Sequence, residues 1–413
     1  MKGQSEFDIV VWGATGWVGR RVVQHMASRY GCGGEFRWAM AGRNERKLRD
    51  IRSALDPPAE DVPIVIADSR DRASLGAMVD RARVVCSTVG PYAKYGSQLV
   101  EACARSGTHY CDISAELHWI RRMIDLHSGE AERTGARLVH ACGFDSIPSD
   151  LGVLYLQREA TARRGEPCPH VRMRVRSMQG GLNGGTAATF LYANEEGPND
   201  PTIGRLMAEP YSLNPEGQRG GPDGPDSIRD IRVAYDDAVA GWTWPFAMAP
   251  MNSKIVRRTN ALGNYPYGEG FSYGEAMLAG AGLEGRIKAL AGAVAQAGFM
   301  RALRWAPTRR LLAKHVLPKP GEGPSESVRE EGFFDLLFVG RWDDGGVLLT
   351  RVSGSGDPNT EATSRLLFEA AVCLAEDEDR ISVGGGSWTP ASAMGELLLS
   401  RITEDQVMSL DLE

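Results

Sequence analysis

Residues 7–19 read FDIVVWGATGWVG. Phe7 to Trp12 is a short run of β-forming residues, and Gly13-Ala14-Thr15-Gly16-Trp17-Val18-Gly19 follows it directly. Helical character begins at Val18 and runs to Tyr30. A glycine-rich turn between a strand and a helix is what a dinucleotide pyrophosphate requires. Gly13 permits the tight turn, Gly16 lets backbone approach the phosphates, and Gly19 allows close helix–strand packing, with the helix N-terminus facing the anion. The spacing is G-x-x-G-x-x-G, a variant of the usual G-x-G-x-x-G, and its weight comes from the strand–turn–helix context.

Working outward, apolar runs at 36–41, 62–67, 84–89, 109–112 and 137–141 alternate with helical segments at 44–55, 71–81, 96–106 and 117–134. This rhythm predicts a Rossmann-type doubly wound parallel sheet, whose buried strands read as continuous apolar runs. The end of strand two selects the cofactor. An NAD site places an acid there for the ribose 2′-hydroxyl. Here the chain reads Ala41-Gly42-Arg43-Asn44, with Arg46 and Lys47 beyond. Arg43 offers a planar contact to a 2′-phosphate and Asn44 a hydrogen bond, so NADP(H) is expected. Asp68, after strand three, can accept from the adenine amino group. Val89-Gly90-Pro91-Tyr92 closes strand four beside the switch point where ligands bind. Tyr92 there either flanks the nicotinamide or is an ordinary buried aromatic.

After Gly152 the pattern changes to a second α/β domain with a mixed sheet. Residues 171–178 alternate as a half-wet strand. A glycine loop at 180–185 and an irregular connection at 194–228 follow. Strands are expected at 233–239 and 254–258, a helical region at 282–316, and a hairpin of 333–341 with 347–353. Two helices, 360–376 and 390–401, end the chain.

Composition narrows the function. There are 49 glycines among 413 residues, against an average of about 7%. Hydrophobic residues make up 42%, so this is a folded chain with many tight turns. A net charge of −6 gives no global basic footprint for nucleic acid. The seven cysteines form no C-x-x-C pair and the histidines no metal spacing, so no metal site is expected. With no signal-peptide layout and no apolar run approaching a membrane span, a cytoplasmic protein is expected.

Candidates for proton transfer lie at the carboxyl ends of the predicted strands. These are Tyr92 and Tyr95 after strand four, Asp112, Ser114 and Glu116 after strand five, and Asp145 after strand six. Ser146 and Asp150 read as helix-capping residues, which leaves Asp145 as the acid that capping does not explain. Gly180–Thr186 suits either a backbone surface against an acyl or nicotinamide group or a hairpin turn. The stretch 278–317 mixes apolar residues with seven cations. It reads as a core-facing helix with a solvated basic face, or as a contact for membrane or an acidic carrier domain.

GATGWVG, AGRNERKL, STVGPYAKYGSQLVEAC, GTHYCDISAE and HACGFDSIPSDLG stand in the order seen in saccharopine dehydrogenase-like oxidoreductases. The chain resembles the branch of the trans-acting enoyl reductases most closely. Gly184-Gly185-Thr186, the 319–326 run KPGEGPSE, Gly354–Pro358 and Thr389-Pro390-Ala391 carry the resemblance through the second half. Ala115 departs from the glycine usual before Glu116. The resemblance implies an NADP-binding domain at 1–150, a substrate domain at 151–355, and C-terminal helices at 356–413 packing back on the first domain. It also implies NADPH-dependent reduction of the C=C of an acyl, polyketide or lipid-like group, free or carrier-bound. The alternatives are saccharopine-type C=N chemistry and a cofactor-binding membrane adaptor. A homodimer is also compatible with this family reading.

Overall fold

The apolar runs of the first half become one parallel sheet. In the computed structural model, which describes residues 5–196, 201–223 and 231–413, this half runs as follows. The chain forms β1 (Phe7–Trp12), α1 (Gly19–Tyr30), β2 (Trp38–Gly42), α2 (Glu45–Ser53), β3 (Ile64–Ile66), α3 (Arg72–Asp80) and β4 (Ala82–Ser87). It continues with α4 (Tyr92–Tyr95), α5 (Ser97–Ser106), β5 (His109–Asp112), α6 (Leu117–Thr134), β6 (Arg137–Val139) and α7 (Ile147–Arg164). All six residues of β1 are buried, as a central parallel strand covered on both faces requires.

The second half forms β7 (His170–Gln179), α8 (Gly184–Glu196), α9 (Pro201–Ala208), β8 (Ala234–Asp236), β9 (Gly241–Pro245), α10 (Ala249–Leu262) and β10 (Ser272–Gly280). Then come α11 (Gly282–Arg304), α12 (Ala306–His315), α13 (Glu326–Glu330), β11 (Phe333–Arg341) and β12 (Val347–Ser355). A π-helical turn at Pro358–Ala362 leads into α14 (Thr363–Glu376), β13 (Gly386–Trp388), α15 (Pro390–Glu404) and β14 (Ser409–Leu412).

The first sheet has the order β13-β6-β5-β4-β1-β2-β3, with every pair parallel. Its direction of winding reverses between β1 and β4, which makes their carboxyl ends the ligand position. The second sheet, β14-β12-β11-β7-β10-β9-β8, is mixed: β7 and β10 pair parallel and the other neighbours antiparallel. The chain after 356 serves both sheets. α14 packs on α1, β4 and β5, β13 extends the first sheet, and β14 edges the second.

Several expectations are corrected. Residues 254–258 are not a strand but the middle of α10, which is buried along most of its length. Its cations are held by carbonyl oxygens. Lys254 donates to Met207 and Pro250, and Arg258 to Leu213 and Ser387. Arg257 pairs with buried Asp223 at 2.8 Å. The short K-I-V-R-R pattern fits either period, and tertiary partners decided it. The 194–228 connection contains α9, while its parts at 197–200 and 224–228 lie outside the described residues. Gly180–Thr186 is no hairpin. It links β7 to α8, and a Cβ on Gly184 would stand 1.8 Å from the Lys319 carbonyl oxygen, so these glycines serve backbone packing. In α11 and α12 most large apolar side chains face outward while Gly285, Ala289 and Leu303 pack inward, which corrects the core-facing reading of 278–317 for the larger part of its apolar residues.

Candidate active site

The loop after β1 is built by contact with the end of β4. Gly13 has φ +91°, and a Cβ on it would lie 2.6 Å from Val89 Cγ2. A Cβ on Gly19 would lie 2.1 Å from the Gly13 carbonyl oxygen. Both glycines are therefore demanded by the protein itself. Gly16 differs, since a Cβ there would meet only Gly13 O, at 3.2 Å. Its outer side is open backbone. Among the described residues the N–H groups of Thr15, Trp17 and Val18 make no backbone hydrogen bond. Unpaired donors at a helix N-terminus fit the diphosphate of a dinucleotide.

Cations surround this loop. Arg43 is exposed beyond β2. Asn44 caps α2 by accepting from Lys47 N at 3.0 Å, which leaves its side-chain N–H groups to donate elsewhere. A cleft of about 380 Å³ is lined by Thr15, Arg20, Lys47, Asp50, Ile51 and the Pro320-Gly321-Glu322 turn. Arg20 and this turn add to the residues expected from sequence. The turn had a signal only as part of the KPGEGPSE run that carries the family resemblance, and Arg20 had none. Asp68 uses one carboxylate oxygen to hold its own turn, accepting from Arg70 N at 2.9 Å. Ala14 and Val18 are buried supports. The Trp17 indole is engaged by the second half of the chain, donating to Thr360 Oγ1 at 3.2 Å and packing against Gly323.

Beyond β4, Val89, Gly90 and Pro91 are half-buried. Tyr92 is buried, and its hydroxyl donates to Ser87 O at 3.0 Å and accepts from Ile113 N at 3.3 Å. Burial, with Asp112 nearby, pushes this phenol well up. With its hydroxyl committed at both ends, Tyr92 is not placed to be a proton donor, which corrects that expectation. Tyr95 is half-buried, and although burial raises its hydroxyl, Lys94 and Arg70 outweigh this and bring it below the ordinary phenol value. The Arg70 contact puts Tyr95 toward the β3 side.

Glu116 organises this corner. Its buried carboxylate accepts from Tyr92 N at 2.6 Å and Ala93 N at 2.8 Å, satisfying the first turn of α4. Thr189 on α8 donates to the same group at 3.5 Å. Burial raises Glu116 even though those backbone donors pull the other way. Asp112 sits deeper, accepting from His140 Nδ1 at 2.7 Å, Tyr110 OH at 2.9 Å and the amides of Ser114 and Ala141. This buried network fixes the ends of β5 and β6.

Asp145 follows β6 in the turn that starts α7. It is half-buried, and no hydrogen bond or ion pair engages its carboxylate among the described residues. Desolvation alone raises it to about 6. Its neighbours are tied down. Phe144 N donates to Thr363 Oγ1 at 3.1 Å, and Ser146 occupies the cap position but bonds Asn252 instead of its own helix. Asp150 caps a different helix. It accepts from Ala391 N of α15 at 2.8 Å and from Thr259 of α10 at 2.5 Å.

Residues 9–141 match the saccharopine dehydrogenase NADP binding domain family. A Mycobacterium tuberculosis protein named as a candidate trans-acting enoyl reductase is 42% identical over 409 residues, covering 96% of this chain and 95% of its own. The trans-acting enoyl reductase of Mycobacterium ulcerans is 39% identical over 411 residues, covering 98% and 97%. The chain belongs to the trans-acting enoyl reductase family. It is an NADP-dependent oxidoreductase of saccharopine dehydrogenase-like fold. Apo saccharopine dehydrogenase (L-Glu forming) from Saccharomyces cerevisiae shares that fold, with TM-score 0.53 and 11% identity over 98% of this chain and 99% of the yeast chain. Among the described residues no helix is long and apolar enough to cross a membrane, and no group of three or more metal-ligating side chains occurs.

Proposed function

We propose that this oxidoreductase reduces the C=C of an enoyl acyl, polyketide or lipid-like group presented as a thioester, on a carrier in the cytoplasm. Near-full-length identity to proteins named trans-acting enoyl reductase is the observation that carries this reading. NADPH, when bound, supplies the hydride. In this proposal Gly13–Gly19 hold the diphosphate, and Arg43, Asn44, Lys47 and Arg20 take the 2′-phosphate. Asp68 faces the adenine, and Val89, Gly90 and Pro91 back the nicotinamide. Glu116 positions that last segment by capping α4. Asp145 holds the proton that the carbon next to the thioester carbonyl requires. An unpaired carboxyl at about 6 suits that task near neutral pH. Residues 1–150 then form the cofactor unit, 151–355 the substrate unit, and 356–413 the segment that returns to the first sheet.

The test is NADPH oxidation with a panel of enoyl thioesters beside an amino acid–semialdehyde pair. Turnover of an enoyl thioester is expected. Turnover of the imine-forming pair alone would replace this reading with C=N reduction.

A further inference from the structure

Helices α11 and α12 carry a surface unlike the rest of the molecule. Residues 282–317 hold seven lysines and arginines against one carboxylate, Glu284, in a chain whose net charge is −6. The same segment exposes its largest apolar side chains. Leu283, Ile287, Leu290 and Val294 are 73%, 58%, 47% and 71% exposed, and Trp305 at the corner between the helices is 64% exposed. Spacings of four, three and four put the first four on one stripe. Between Lys288 and Arg301 there is no charged residue at all. The rotation of α11 is fixed from behind. Gly285, Ala289 and Leu303 are buried, and the Trp244 indole lies so close to Gly292 that a Cβ there would meet it at 2.7 Å. The stripe therefore faces outward because the opposite side is packed.

A dry stripe bounded at both ends by cations, with a tryptophan at its edge, is the build of a helix lying in a membrane interface. Apolar side chains enter the acyl boundary and the cations reach the headgroups. A second copy is a poor occupant. An antiparallel pairing of α11 with itself sets Arg286 and Lys288 beside the other copy's own basic end, and like charges oppose association. The occupant has to be anionic. We infer that α11 and α12 dock this protein on the surface of an anionic phospholipid bilayer, without crossing it. The segment after α12 reaches the cofactor cleft within a few residues. Arg309 of α12 donates to Asn194 O near the end of α8 at 3.3 Å. The chain after α12 runs into the 320–322 turn that lines the cofactor cleft. Docking there sets the cleft beside a lipid surface, whichever bond the enzyme reduces.

The test is flotation of the full chain with vesicles of phosphatidylcholine alone or mixed equally with phosphatidylglycerol. Capture by the anionic vesicles is expected, with far less by the neutral ones. Removing a cation such as Arg301 or Arg304 lowers partitioning roughly fivefold each. The exposed double substitution Leu290→Glu, Val294→Glu abolishes capture while leaving the thermal midpoint and NADPH binding unchanged. No capture by anionic vesicles, or undiminished capture of the double variant, overturns the inference. A dimer, or a complex with a purified acidic carrier domain, that forms without vesicle capture and is lost in the same variant overturns it too, and assigns the face to a protein.

Discussion

Replacing Asp145 by asparagine separates the cost of the site from its use. The carboxyl is raised from 3.8 to about 6 by desolvation and has no partner among the described residues. A group whose folded value lies above its unfolded value holds its proton more tightly in the folded state, so stability falls as pH rises through that window. Here the fall runs from about pH 4 to about pH 6 and is complete above it. Two pH units correspond to a ceiling of about 3 kcal/mol, and solvent reaching a half-buried group reduces this to about 1–2 kcal/mol. Asp145→Asn has the same volume and no charge. It is therefore expected to unfold at higher urea than the parent at pH 8, and at the same urea near pH 3.5. Activity moves the opposite way. The parent rate with an enoyl thioester falls about tenfold per unit above pH 6, and the variant loses roughly 10²–10⁴-fold. A variant that is less stable than the parent at pH 8, or a stability difference that ignores pH, would refute the desolvation argument. A variant of full activity would refute the proton-donor role while leaving the stability argument standing.

Arg43→Ala together with Lys47→Ala is expected to weaken NADPH roughly tenfold or more while sparing NADH, read by fluorescence titration at low salt, because each lost contact to the 2′-phosphate is charge-assisted. Gly184→Ala drives a Cβ to within 1.8 Å of the Lys319 carbonyl oxygen, so destabilisation of about 1–3 kcal/mol and weaker NADPH binding are expected from urea titration and fluorescence. Asp150→Ala strands the buried Ala391 amide and the Thr259 hydroxyl and is expected to cost about 1–3 kcal/mol at pH 5, where a merely exposed carboxylate would cost almost nothing.

The cofactor half was legible because its signals are local. A pyrophosphate loop needs its glycines in consecutive turns of one segment, and the first sheet needs continuous apolar runs; both are written along the chain. That Gly42-Arg43-Asn44, with no acid, stands at the end of β2 was equally readable, since cofactor choice rests on a single short stretch. The substrate half was not legible in this way. β10 lies inside the second sheet beside its central strand β7, yet SYGEAMLAG reads weakly as a strand, and its pairing with β7 exists only after the chain has folded. α10 looked like a strand because the environment that tolerates its buried cations is assembled from Met207, Leu213, Asp223 and Ser387, all distant in sequence.

The site residues divide along the same line. Tyr92 and Asp145 both stood at strand ends, and sequence had no means to rank them. Tertiary contacts spend the Tyr92 hydroxyl on Ser87 and Ile113 and, among the described residues, leave the Asp145 carboxylate without a partner. By itself, the sequence determined a parallel dinucleotide-binding sheet and its NADP preference, because turn geometry and charge at one strand end act over a few residues. Only the tertiary structure decided which acid is unpartnered among the described residues, which tyrosine is committed and which face of α11 meets solvent. Burial and hydrogen-bond partners, such as Ser87 and Ile113 for Tyr92 or Trp244 behind α11, are brought together only by folding.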